Sequence, residues 1–149
     1  MIFRPDRCWQ DEKSRRTGYA SSAALTSSMG LNASTWQKFV DNGVKVSICA
    51  VSEPTVANGI PPLMQVREYG IANRASFSTD TETLISADYF TQMRGAFTVQ
   101  RLLTLQQSDL GRVATPVPIT CREVIEMATM GGAAGAHLAD KVGSLTPTA

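Results

Sequence analysis

The sequence predicts an α/β fold built on parallel strands, and three observations carry that expectation. A β-branched, nearly unbroken apolar run, Val44 to Val51 (VKVSICAV), has the character of a strand covered on both faces. Helix-like and strand-like segments alternate through the middle of the chain with short connections, as consecutive βα units do. Glu53 and Asp80 each follow a strand-like run, at the carboxyl ends where parallel α/β sheets gather their ligand-facing residues.

The elements follow in order. Residues 1–31 hold no helical or strand period for long and are expected to be a loosely ordered leader, charged from Asp6 to Arg16 and rich in small residues from Tyr19 to Gly30. Asn32 or Ser34 caps a short helix whose Trp36, Phe39 and Val40 share a face, and Asn42-Gly43 stops it. After the Val44 strand and a Thr55 to Pro62 loop, Pro62 or Leu63 opens a second short helix that Gly70 closes before an extended segment, Ile71 to Ser78. Ser86 is the expected cap of a long helix reaching about Gln107, with Phe90, Met93 and Phe97 as its buried stripe. Thr120 and Glu123 have capping-box spacing and start a helix that Gly131-Gly132 should break.

Composition bounds the function. The 149 residues, 43% hydrophobic and 18% charged, suit one globular domain but fall short of the about 250 residues of a complete (β/α)8 barrel. With 14 basic and 13 acidic side chains the net charge is +1, too small a field to argue for nucleic acid or an anionic membrane. There is no membrane-spanning apolar run and no signal-peptide centre, so the cytoplasm is the expected compartment. Cys8, Cys49 and Cys121 stand far apart, and Cys49 reads as a buried small hydrophobe. His137 is the sole histidine, which removes any site built from several histidines of one chain.

Three stretches carry a resemblance: SEPTVANGIPPL after the first strand, FSTDTETLISADYFTQMRGAFTVQR around the second, and TCREVIEMATMGGAAGAHLADKVGSLTP at the end. Occurring in this order, they resemble the C-terminal part of the metal-dependent amidohydrolases, in the deaminase and chlorohydrolase branch. The resemblance runs from about residue 32 to 147, leaving 148–149 as a tail. It implies a partial TIM-barrel-like fold, the last βα units of a metallo-dependent hydrolase barrel followed by C-terminal helices.

The resemblance also implies a chemistry: metal-assisted hydrolysis of a non-peptide C–N or C–Cl bond of a nitrogen heterocycle, with zinc or iron as cofactor. Asp80, in Ser78-Thr79-Asp80, matches the last-strand aspartate that approaches the metal and shuttles protons, so it is the expected catalytic residue and metal ligand. Glu53 and Gly59 match positions near the substrate pocket. Read without the resemblance, Asp80 is a turn residue and Glu53-Pro54 ends a strand. Asp88 and Arg94 belong to the family-like run but read as helix-surface contacts, and His137 as a surface or partly packed side chain.

Histidine ligands of the family have no counterpart here; Tyr19 to Met29 stands where a relative would bring one and reads ASSAALTSS. Asp80 alone would neither hold an ion firmly nor activate its water, so the isolated chain is expected to be inactive and metal-free. Both ends look cut from a larger protein. Strands taken from a closed sheet leave edges, so a second copy or the missing part of the barrel is an expected partner. The alternative to a hydrolase is a degenerate piece with a structural or interaction role.

Overall fold

The computed structural model describes residues 22–25, 31–80, 82–83, 86–112 and 116–146. Its centre is a three-stranded parallel sheet in the order β1 (Ser22–Leu25), β2 (Lys45–Ile48), β3 (Ala75–Phe77). Ser22 aligns with Lys45 and Leu25 with Ile48, while Val46 aligns with Ala75 and Ile48 with Phe77. The pairing continues past β3, where Ser78 N–H donates to Ile48 O at 2.9 Å. All three strands end at one edge of the sheet, which places the segments after Ile48 and Phe77 side by side.

Helix α1 (Ala33–Asp41) starts where the sequence indicates: Asn32 Oδ1 accepts from Thr35 N–H at 3.0 Å, and Gly43 takes a φ of 64° at the stop. Its buried Trp36 meets Phe39 edge to face at 5.4 Å and stacks on Tyr69 at 5.9 Å. A short α2 (Ser52–Thr55) and then α3 (Leu63–Glu68) connect β2 to β3. Val46, Ile48, Leu63, Val66, Ile71, Phe77, Ile119 and Met127 share the core with the α1 aromatics.

The long helix α4 (Tyr89–Asp109) is capped by Asp88, whose carboxylate accepts from Phe90 N–H and the Thr91 hydroxyl. Ser86, the expected cap, instead accepts from Asp88 N–H one step earlier. The expected stripe is also corrected. Phe90 is 66% exposed, and Met93 and Phe97 pack against the core while only partly buried, whereas Gln92, Ala96, Gln100 and Thr104, spaced four apart, are the buried positions. Polar residues win this face because irregular backbone packs against it: Gln100 Oε1 accepts from Ile119 N–H at 2.6 Å and Gln92 Oε1 from Val51 N–H at 3.2 Å.

Helix α5 (Cys121–Glu126) opens on the expected capping box, with Thr120 and Glu123 bonded reciprocally. Gly131-Gly132 does not break it. The helix widens into a π turn, Met127–Gly131, and continues as α6 (Gly132–Gly135), because Gly131 lets the helix approach β3: a Cβ there would lie 2.0 Å from Ala75 O.

Three further expectations change. Ile71 to Ser78 is not extended throughout: a 3-10 turn, Ala72–Arg74, precedes the three-residue β3. Strand β2 is shorter than Val44 to Val51 and alternates buried Val46 and Ile48 with half-buried Lys45 and Ser47. The small-residue stretch expected to be loosely ordered contributes β1, since four residues in register with β2 pair through their backbones whatever their side chains. The rest of residues 1–30, and 147–149, lie outside the described residues.

Candidate functional site

Three ligand-type side chains meet at the carboxyl edge of the sheet: the Cys49 thiol, the Glu53 carboxylate and the Asp80 carboxylate, with one donor atom of each within 4.8 Å of the others. Cys49 follows β2 directly. Glu53 lies four residues later in α2, which turns back over the strand end, and Asp80 lies three residues beyond β3. Cys49 is 7% and Glu53 2% exposed, while Asp80 is open to solvent.

Local bonding holds each residue. Glu53 O accepts from Asn58 N–H at 3.0 Å and Glu53 Oε2 from Asn58 Nδ2 at 2.8 Å, so one asparagine fixes both ends of the glutamate. Asp80 has a φ of 60°, a left-handed conformation that costs an L-residue about 1–2 kcal/mol and that aspartate tolerates better than most. Its N–H faces Ser78 Oγ at 3.4 Å.

Burial and like charge act together on these groups. Desolvation pushes the Glu53 carboxyl above the usual glutamate range; the Asn58 bond opposes this and the Asp80 charge adds to it. Burial likewise raises the Cys49 thiol, the Ser78 and Ser52 hydroxyls opposing and the Asp80 and Glu53 charges reinforcing. Ser52 is fully buried and near enough to this sulfur to act on it, and among the described residues its Oγ makes no hydrogen bond of ordinary geometry.

The structure therefore brings Glu53 and Asp80 together and adds Cys49. Gly59, which has no side chain to offer a ligand atom, sits in the loop after Asn58 with a φ of 128°, where a side chain would be strained. Asp88 is a helix cap and Arg94 an exposed residue of α4. His137 is exposed at the end of α6, and its Nδ1 lies 3.2 Å from Lys45 Nζ at the amino end of β2, opposite the edge that holds Asp80. Cys49 was legible only as a buried thiol; its i, i+4 spacing to Glu53 across a strand-to-helix turn is the signal for the pairing.

Zinc or iron, implied by the resemblance, can be tested against these donors. Among the described residues the histidine set does not form, but one thiol and two carboxylates do, and three protein ligands with a fourth open position is the number a catalytic zinc takes. The donor chemistry fits a borderline-soft divalent ion.

No protein-family model and no curated protein matches the chain. Among solved structures, an adenosine deaminase from Xanthomonas campestris with bound zinc matches at a TM-score of 0.60 and 20% identity, over 90% of this chain and 28% of that one. A guanine deaminase from Bradyrhizobium japonicum matches at a TM-score of 0.64 and 17% identity, over 89% of this chain and 30% of that one. At these identities the likeness is one of fold, and the chain spans under a third of the length of either relative. Their agreement with the amidohydrolase-like stretches of the sequence is structural: the chain has the fold of a part of an adenosine or guanine deaminase.

Proposed function

We propose that the chain is the carboxyl-edge sector of a metal-dependent hydrolase of the deaminase and chlorohydrolase kind, with Asp80 as its metal-facing, proton-carrying carboxylate. One observation supports this above others: Asp80 is held in a left-handed conformation beside buried Glu53, at the ends of adjacent parallel strands. Strain of this kind persists where the surroundings over-determine it, and functional sites are where it collects.

The substrate class is a nitrogen heterocycle that loses an amine or chloride to water. Asp80 would face the ion, which when bound would acidify a water for attack. Asp80, exposed at the rim, accepts the proton of the attacking water and returns it to the leaving nitrogen. Glu53, whose carboxyl is raised by burial, keeps its proton to higher pH than an ordinary glutamate and can donate a hydrogen bond to a ring nitrogen, with Gly59 bordering the substrate.

Both outer strands of the described sheet, β1 and β3, have a side that pairs with no described strand. The remaining barrel strands, as another polypeptide or a second copy, would cover these edges and complete the substrate pocket. No described helix is long and apolar enough to cross a membrane.

The test is to isolate the tagged chain with its bound partners from cells that make it and to follow ammonia or chloride release from aminopurines, aminopyrimidines and chlorotriazines. The proposal expects turnover that an Asp80→Asn variant lowers by roughly 1000-fold, as loss of a proton-transfer group does. Equal turnover by the variant would overturn it. A second reading, a sector retained for a structural or binding role, is favoured by the lack of a histidine at the carboxyl edge among the described residues. Its signature is metal binding without turnover on any of these substrates.

A further inference from the structure

We infer that Cys49, Glu53 and Asp80 form a thiolate and carboxylate site for a thiophilic divalent cation, zinc or cadmium in class, with all three protein ligands supplied by this chain. This rests on the reading of Asp80 as the metal-facing carboxylate, and it turns Glu53 from the substrate toward the ion.

Charge is the first argument. Two carboxylates lie within 4.8 Å of each other, one of them 2% exposed, and among the described residues neither forms an ion pair; the pair that does form is Arg67 with Glu123, on α3 and α5. A buried carboxylate beside a second one costs several kcal/mol in order of magnitude unless a proton or a cation balances it.

The second argument is Ser52. Its fully buried hydroxyl acts on the neighbouring Cys49 sulfur, and among the described residues it makes no hydrogen bond of ordinary geometry. A thiol is a poor acceptor, whereas a metal-bound thiolate is a good one, so coordination would satisfy the orphaned hydroxyl. A hydrogen bond to a ligand atom from outside the coordination shell is what orients metal ligands generally.

Geometry and access agree. Donor atoms around a tetrahedral zinc stand about 3.5 Å apart, given bonds of about 2.0–2.3 Å. The 4.8 Å limit here asks for closure of about an ångström, which rotation of the exposed Asp80 side chain supplies. Asn58 holds one Glu53 oxygen and leaves the other available. Asp80 at the rim provides the entry path. On binding, the Cys49 S–H bond breaks, the proton passes to solvent and the sulfur lone pair goes to the metal, with no change of oxidation state. A sulfur ligand discriminates against magnesium and calcium, which take oxygen.

The experiment uses the full chain carrying Cys8→Ser and Cys121→Ser, so that Cys49 is its one thiol, titrated with cadmium while the ultraviolet thiolate-to-cadmium charge-transfer band is followed. The inference expects a band saturating near one equivalent, displaced by zinc and not by magnesium, lost in Cys49→Ala, and weakened at least tenfold in apparent affinity in both Glu53→Gln and Asp80→Asn. Absence of the band in the single-thiol protein overturns it without recourse to a variant. Cadmium uptake that depends on Asp80 but persists in Cys49→Ala overturns the thiolate site and leaves the Asp80 reading standing. A band that needs Cys49 and ignores Asp80 overturns both.

Discussion

Glu53 and Asp80 leave adjacent parallel strands at the same edge of the sheet and bring their carboxylate oxygens within 4.8 Å of each other, one buried and one exposed. The backbone enforces this meeting: α2 folds Glu53 back over the end of β2, and the left-handed turn at Asp80 redirects the chain after β3. A parallel sheet places such residues together because its strands finish side by side.

The first prediction concerns the unfavourable ionisation of Glu53. Its folded-state pKa is raised, chiefly by desolvation, so its contribution to stability is full below the ordinary glutamate pKa and is lost as pH rises through the folded value. Metal-free Glu53→Gln should be more stable than the wild type at neutral pH by about 1 kcal/mol, with the difference vanishing in acid. Thermal melts from pH 3 to 8 with chelator present check this; a glutamine variant less stable at neutral pH contradicts it.

Glu123 has the opposite sign. Burial pushes its carboxyl up, but the Thr120 N–H, the Arg67 guanidinium at 2.6 Å and the Thr120 hydroxyl together hold it below the usual range. Its contribution is present above the ordinary glutamate pKa and is lost as pH falls through the lowered one. Because the side chain is 34% exposed, Glu123→Gln should cost about 1 kcal/mol or less at pH 7 and flatten the acid limb of the stability curve. Urea midpoints across the acid range measure both effects.

Neighbouring glycines should respond in opposite directions. Gly131→Ala places a Cβ 2.0 Å from Ala75 O, a backbone atom that moves only with β3, and should destabilise by about 2–3 kcal/mol. Gly132→Ala meets nothing within 4 Å among the described residues and should gain roughly 0.5–1 kcal/mol of helix propensity. Paired denaturation curves decide, and equal effects would contradict the close packing of this helix on β3.

Gln100 is the internal capping group of the segment before α5. Gln100→Leu leaves the Ile119 N–H buried without its 2.6 Å acceptor and should cost about 1–3 kcal/mol despite the added apolar surface. Amide exchange at Ile119 should speed up in the variant by more than at Val124.

These residues show what the sequence made legible. Local chemistry was: the Asn32 cap, the Gly43 stop and the Thr120–Glu123 box depend on residues within four positions of each other, and all three form as expected. Long-range demands were not. The inward face of α4 reads as polar because Gln92 and Gln100 serve backbone groups at Val51 and Ile119, 41 and 19 residues away. Within the candidate site, Asp80 and Glu53 could be named from motif and position. Cys49 was read only as a buried thiol, because its i, i+4 spacing to Glu53 marks a pairing only where a strand turns straight into a helix, as it does between β2 and α2. Likewise β1, Ser-Ala-Ala-Leu paired through the backbone, carries almost no periodic signal.

The central claim is that Asp80 faces a metal at the carboxyl edge of the sheet. Its most direct test is elemental analysis of the full chain and of Asp80→Ala, each incubated with zinc and then freed of excess by gel filtration. The account predicts close to one zinc per chain in the wild type and little in the variant. A wild type that retains no zinc, or an Asp80→Ala protein that retains as much, would contradict it.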